Sequence, residues 1–128
     1  MRLLLLFCIS IGILSCTADK KLELSKIEDF PSQIIGCSCY YAMSEADFST
    51  QKFIYIDKYG EEPGMINVNG NLIAVDPNNK DPKNYQIKIE IDQEVQLDQE
   101  LFHKEGVLTV LAPDGAKFTT PIYGECGC

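Results

Sequence analysis

No stretch of this sequence reaches the roughly 20 consecutive apolar residues that a membrane-spanning helix needs. The longest run, Leu3 to Leu14, stops well short, which argues against a spanning anchor. Positive charge is scarce: 11 Lys and Arg stand against 19 Asp and Glu, and Arg2 is the single arginine. A net charge of −8 disfavours nucleic acid and anionic lipid head groups as partners. Histidine occurs once, as His103 between Phe102 and Lys104, and reads as a surface residue. Catalytic signatures are missing too. There is no G-x-S-x-G elbow, no C-x-x-C of the thioredoxin-like type and no paired-carboxylate motif. Asp76, Asn78 and Lys80 begin like a calcium loop, but Lys80 and the lack of the required Gly and Glu break the pattern. After Pro31 no segment carries a helical period of useful length. These absences predict a chain that is neither an enzyme nor helical, and one that needs no cofactor.

The first residues are the clearest positive signal. Met1-Arg2 gives a charged end, Leu3 to Leu14 an apolar core of signal-peptide length, and Ser15 a small residue at the cut. Ile13-Leu14-Ser15-Cys16 resembles the lipobox of bacterial lipoproteins. The resemblance implies a leader over 1–15, cleavage before Cys16, and acyl chains (palmitate among them) on that cysteine. Each buried CH2 contributes about 0.8 kcal/mol, so two or more chains hold a protein stably on a membrane. Thr17 stands where inner-membrane lipoproteins of enteric bacteria carry Asp, so the same resemblance implies the outer membrane. Loss of Arg2 leaves 10 basic against 19 acidic residues, a net −9. Residues 16–30 are polar and read as a lipidated tether, which as a flexible coil would reach on the order of 20 Å.

From residue 31 to residue 128 there is room for one domain. Short β-prone runs alternate with turn signals: Gly36 to Met43, Lys52 to Asp57, then Met65 to Val68 and Leu72 to Val75 around Asn69-Gly70. Asn-Gly between such runs is the strongest hairpin signal in the chain. Asp76 to Asn84, with two prolines, reads as a loop. Tyr85 to Asp92 alternates, placing Ile87, Ile89 and Ile91 on one face. Val95 to Phe102 is a weaker strand candidate, and Val107 to Ala112 and Lys117 to Tyr123 flank the turn Pro113-Asp114-Gly115. The expected fold is all-β: an antiparallel sandwich or small barrel of about seven or eight strands.

Cysteine spacing is the informative constellation. Cys37-Ser38-Cys39 opens the first strand and Cys126-Gly127-Cys128 ends the chain. Residues two apart on a strand share a face. If the first and last strands pair antiparallel, Cys37 meets Cys128 and Cys39 meets Cys126, within disulfide range. The competing reading is a metal site in which Cys37, Cys39, Cys126 and Cys128 hold Zn2+ or Cu(I). One residue between paired cysteines is tighter than structural zinc sites use, and an exported chain meets an oxidising compartment. A redox-active pair is the third reading. The acidic triplets Asp92-Gln93-Glu94 and Asp98-Gln99-Glu100 read as solvated surface or a patch for a basic partner. The six tyrosines, Tyr40, Tyr41 and Tyr123 among them, read as core or as a binding face.

Gly36-Cys37-Ser38-Cys39-Tyr40-Tyr41 together with Tyr123-Gly124-Glu125-Cys126-Gly127-Cys128 resembles a group of small bacterial lipoproteins of unassigned activity. Tyr55, Val68-Asn69-Gly70 and the C-terminal cysteine are also similar to the membrane-bound inhibitors of c-type lysozyme, small lipid-anchored β-barrels. Where that family carries a Ser-Gly inhibitory loop, Asp76 to Tyr85 here reads D-P-N-N-K-D-P-K-N-Y. The resemblances imply a monomeric, non-enzymatic envelope lipoprotein that binds or inhibits a macromolecule, such as a basic lysozyme. The alternative is a metal-binding lipoprotein using the four thiols.

Overall fold

A computed structural model describes residues 21–31, 34–59 and 63–128. The leader, Cys16 and the tether as far as Lys20 lie outside those residues. The fold is all-β. Its strands are β1 (Ser38–Ala42), β2 (Tyr55–Asp57), β3 (Gly64–Val68), β4 (Asn71–Val75), β5 (Gln86–Asp98), β6 (Leu101–Leu111) and β7 (Lys117–Gly127). A one-turn helix, α1 (Glu45–Ser49), follows β1. The strands form one antiparallel sheet in the order β4-β3-β2-β1-β7-β6-β5. First and last strands are therefore neighbours, and the sheet's edges are the consecutive strands β4 and β5.

The sheet curls on itself. Val75 of β4 and Ile87 of β5, from opposite edges, share one core cluster with Ile54, Ile66, Leu108, Val110 and Ile122. Ile54, Ile66 and Leu108 are fully buried there, each worth about 1.5–3 kcal/mol in transfer terms, and Tyr55 is fully buried with them. With seven alternating strands, β4 and β5 point the same way and cannot pair as antiparallel neighbours. The curl stays open at that seam, and the loop 76–85 runs across it. One end of the curl holds the turns Asn69-Gly70 and Pro113–Gly115; the other holds the turn after Asp98 and the first and last cysteines. Asn69 (φ 53°) and Gly70 (φ 87°) adopt the left-handed conformation that a two-residue hairpin needs.

Several expected elements are moved. The strand expected over Val95 to Phe102 is divided between β5 and β6 by a turn, because the Asp98 carboxylate accepts a bond from the Gln99 N–H (2.8 Å). The isoleucine face of β5 fades along the strand. Ile87 is buried, Ile89 half-buried and Ile91 exposed, and an irregularity between Ile91 and Gln93 shifts the register with β6. The first strand is shorter than Gly36 to Met43, since Gly36 turns the chain at φ 86°. The second begins at Tyr55 rather than Lys52, because Phe53 exchanges both backbone hydrogen bonds with Ile27 (2.7 and 2.9 Å).

That last contact corrects the tether. Over 21–31 the chain is a strap seated on the domain. The Leu22 N–H donates to Lys117 O, Ser25 N–H to Asn67 O and Ile27 N–H to Phe53 O. Ile27 is buried in a second cluster with Phe53, Ile56 and Met65, on the outer face of β2 and β3. Alternation with charged residues made the strap look solvated. Its apolar positions Leu22, Leu24 and Ile27 in fact face the sheet. Helix α1 was also not expected. Ser44 caps it by accepting from Asp47 N–H (3.2 Å), and Lys26 of the strap pairs with Asp47 at 3.0 Å.

Candidate functional site

The end cysteines are joined in two disulfides, Cys37–Cys128 and Cys39–Cys126. Cys39 lies opposite Cys126 in the β1–β7 ladder. The two bonds differ in setting: Cys39 and Cys126 are buried, whereas Cys37 and Cys128 are exposed. The Tyr41 hydroxyl sits 3.4 Å from Cys126 Sγ inside the curl. With all four sulfurs bonded, none presents the thiolate a metal requires. Among the described residues no group of three or more His, Cys, Asp or Glu side chains is placed to hold a metal ion. The carboxylates of the loop 76–85 cap their own turns, Asp76 accepting from Asn78 N–H (2.8 Å) and Asp81 from Lys83 N–H (3.0 Å).

Period-two alternation sends the neighbours of the cysteines to the other face. Cys39, Tyr41, Gly124 and Cys126 point into the curl; Tyr40, Tyr123 and Glu125 point out. On that outer face the rings form a continuous band. Phe30 of the strap meets Tyr40 (5.3 Å) and Phe53 (5.4 Å), Tyr40 stacks on Phe48 of α1 (5.7 Å), Phe48 meets Tyr123 (5.5 Å), and Tyr123 meets His103 (4.4 Å). His103 is therefore not the surface residue its neighbours in sequence suggest. Its side chain is 14% exposed, covered by Tyr123, with Nε2 3.5 Å from Glu105.

Carboxylates line this band. The Tyr40 hydroxyl donates to Glu125 Oε2 (3.2 Å). Burial first, then the Glu125 charge, pushes the Tyr40 phenol above its ordinary range. The Tyr123 phenol is raised by burial and then by the charges of Glu45, Glu105 and Glu125. Three acidic side chains from α1, β6 and β7 thus act on one ring. Phe30, Tyr40, Phe48 and Phe53, with Glu125 at the rim, also line a groove of about 410 Å3.

The two acidic triplets lie elsewhere, the first on the exposed half of β5 and the second at the β5–β6 turn. Of the tyrosines, Tyr41 and Tyr55 are core, Tyr40 and Tyr123 belong to the outer band, and Tyr59 is exposed beneath Lys104 Nζ (5.7 Å). The phenylalanines of the band were missed in the sequence. The strand period around the cysteines was the available signal, because it places Tyr40, Tyr123 and Glu125 together once β1 and β7 are neighbours. Among the described residues no helix is long and apolar enough to cross a membrane. No family model, curated protein or solved structure matches this chain.

Proposed function

We propose that the chain is an exported lipoprotein held to the outer membrane through Cys16, whose β domain is a non-enzymatic module that binds a basic macromolecule. The observation that carries the binding reading is the acidic aromatic band, in which Tyr40, Phe48, Tyr123 and His103 follow ring on ring beside Glu125, bonded to Tyr40, and Glu105, 3.5 Å from His103. Aromatic rings give rigid contact area at low entropic cost. Carboxylates beside them favour a cationic partner and raise its on-rate. The net −9 of the chain without its leader adds long-range attraction for a basic partner. The lipid anchor is supported by the leader pattern and by Ser15-Cys16. Two disulfides suit a chain that folds outside the cytoplasm.

A c-type lysozyme is the first partner to test, being basic and active on the cell wall. Full-length protein in detergent micelles is titrated with the enzyme at low and high salt, and cell-wall lysis is followed in parallel. Micromolar binding that weakens as ionic strength rises supports the reading. Unchanged lysis together with no association at low salt removes lysozyme as the partner. Absence of binding to a panel of basic envelope proteins overturns the reading. Free thiols with a retained metal ion in the native protein would also overturn it, in favour of the metal-binding alternative.

A further inference from the structure

We propose that the groove between the strap and α1, walled by Phe30, Tyr40, Phe48 and Phe53 and rimmed by Glu125, takes an arginine side chain of a basic protein partner. The inference rests on the binding reading above and adds what the partner must present. The walls are rings set at steep angles to one another: Phe30 makes 72° with Tyr40 and 66° with Phe53. Phe30 stays 46% exposed although it touches both. An apolar ring left open to water beside an acidic rim is a place for a ligand with an apolar stem and a charged tip.

The tip is identified by what the groove offers and lacks. Glu125 accepts one bond from the Tyr40 hydroxyl, and an ionised carboxylate has capacity for several more. The described residues contain no arginine, and the strap's nearby cation, Lys26, is held by Asp47 at 3.0 Å. A guanidinium is planar and weakly hydrated. It can lie against aromatic rings while presenting a two-pronged donor edge to a carboxylate. An ammonium group is more strongly hydrated and enters an aromatic groove at greater cost. A neutral donor would hydrogen-bond Glu125 without compensating its charge, and charge-assisted bonds are the stronger ones.

The test uses full-length protein in detergent micelles and three blocked tripeptides that differ only in a central arginine, lysine or citrulline. Binding is read from the ring signals of Phe30 and Phe48 in NMR titrations. The arginine peptide is expected to shift both signals saturably, the lysine peptide to bind several-fold more weakly, and the citrulline peptide to leave the signals unmoved. Glu125→Gln should weaken the arginine peptide by about tenfold, and Phe30→Ala should weaken it several-fold. Glu100→Gln, which removes the same charge at the β5–β6 turn, should leave it unchanged. Circular dichroism checks that each variant is folded. Equal binding of arginine and citrulline peptides, or equal effects of Glu125→Gln and Glu100→Gln, overturns the inference. If a basic protein still binds Glu125→Gln as it binds wild type, the groove is discarded and the binding module stands. If neither peptide nor basic protein binds, both fall.

Discussion

Gly124 lies directly across from Tyr41 in the β1–β7 ladder, and the tyrosine ring occupies space that a side chain at 124 would need. A Cβ there would also press on the Tyr40 carbonyl, which belongs to the backbone and cannot swing away. The same ring carries the hydroxyl that reaches Cys126. One glycine thus sets how closely β1 and β7 approach around the buried disulfide.

Gly124→Ala should therefore destabilise the domain by about 1–3 kcal/mol through overpacking. A lowered urea midpoint with an unchanged slope would show it. No loss of stability would mean that the Tyr41 ring is freer than its packing suggests.

The two disulfides should open in a fixed order. Cys37–Cys128 is exposed and Cys39–Cys126 buried, so limiting reductant should free the outer pair first. Alkylation followed by mass spectrometry reads which cysteines are modified. The bonds close nearly the same loop, with sequence separations of 91 and 87. Replacing Cys37 and Cys128 by Ser should consequently cost little while the inner bond remains. Removing both bonds should cost nominally about 4–5 kcal/mol on the chain-entropy model.

Alkaline pH should unfold the domain through its phenols. Burial is the first cause raising Tyr40, Tyr41, Tyr55 and Tyr123, and nearby carboxylates add to it, Asp57 for both Tyr41 and Tyr55. Unfolded tyrosines ionise near pH 10. Because the folded values lie higher, this contribution to stability is complete below about pH 10 and declines as pH rises through the folded values. Urea midpoints measured from neutral to strongly alkaline pH should hold and then fall. A midpoint that rises with pH in that window would contradict the assignment.

Ile27→Ala should cost about 2–4 kcal/mol, as expected for a buried isoleucine. A solvated tether would tolerate the change with no measurable effect. Exchange protection of the Ile27 and Phe53 amides, which bond each other's carbonyls, gives a second reading of the same contact.

Much of the fold was legible because its turns and alternation are local chemistry. Asn69-Gly70 marked its hairpin, and Pro113-Asp114-Gly115 marked another. The x-Cys-x-Cys spacing at both ends was enough to place Cys37 near Cys128 and Cys39 near Cys126 once the end strands were taken as neighbours, and the bonds join those same pairs. What could not be read was tertiary. Leu22, Leu24 and Ile27 show no period because the strap crosses several strands in place of following one. Phe30, Phe48 and Phe53 come from strap, helix and loop, so no single segment shows that their rings meet. His103 stands between Phe102 and Lys104 in sequence, which does not announce that Tyr123 of the next strand covers it. The bulges in β5 shift the parity that the isoleucines had announced.

The strap has a geometric consequence for a chain anchored at Cys16. Lys21 is already bridged to Lys117, beside the Gly115 turn. Only five residue steps separate Lys21 from Cys16, and no chain of that length spans more than roughly 18 Å. The domain would then ride close above the bilayer in a restricted orientation. The end bearing Asn69-Gly70 and Pro113–Gly115 would face the lipid head groups, and the exposed Cys37–Cys128 bond would point away from them. The aromatic band would lie on the flank, neither pressed against the head groups nor turned squarely away from them.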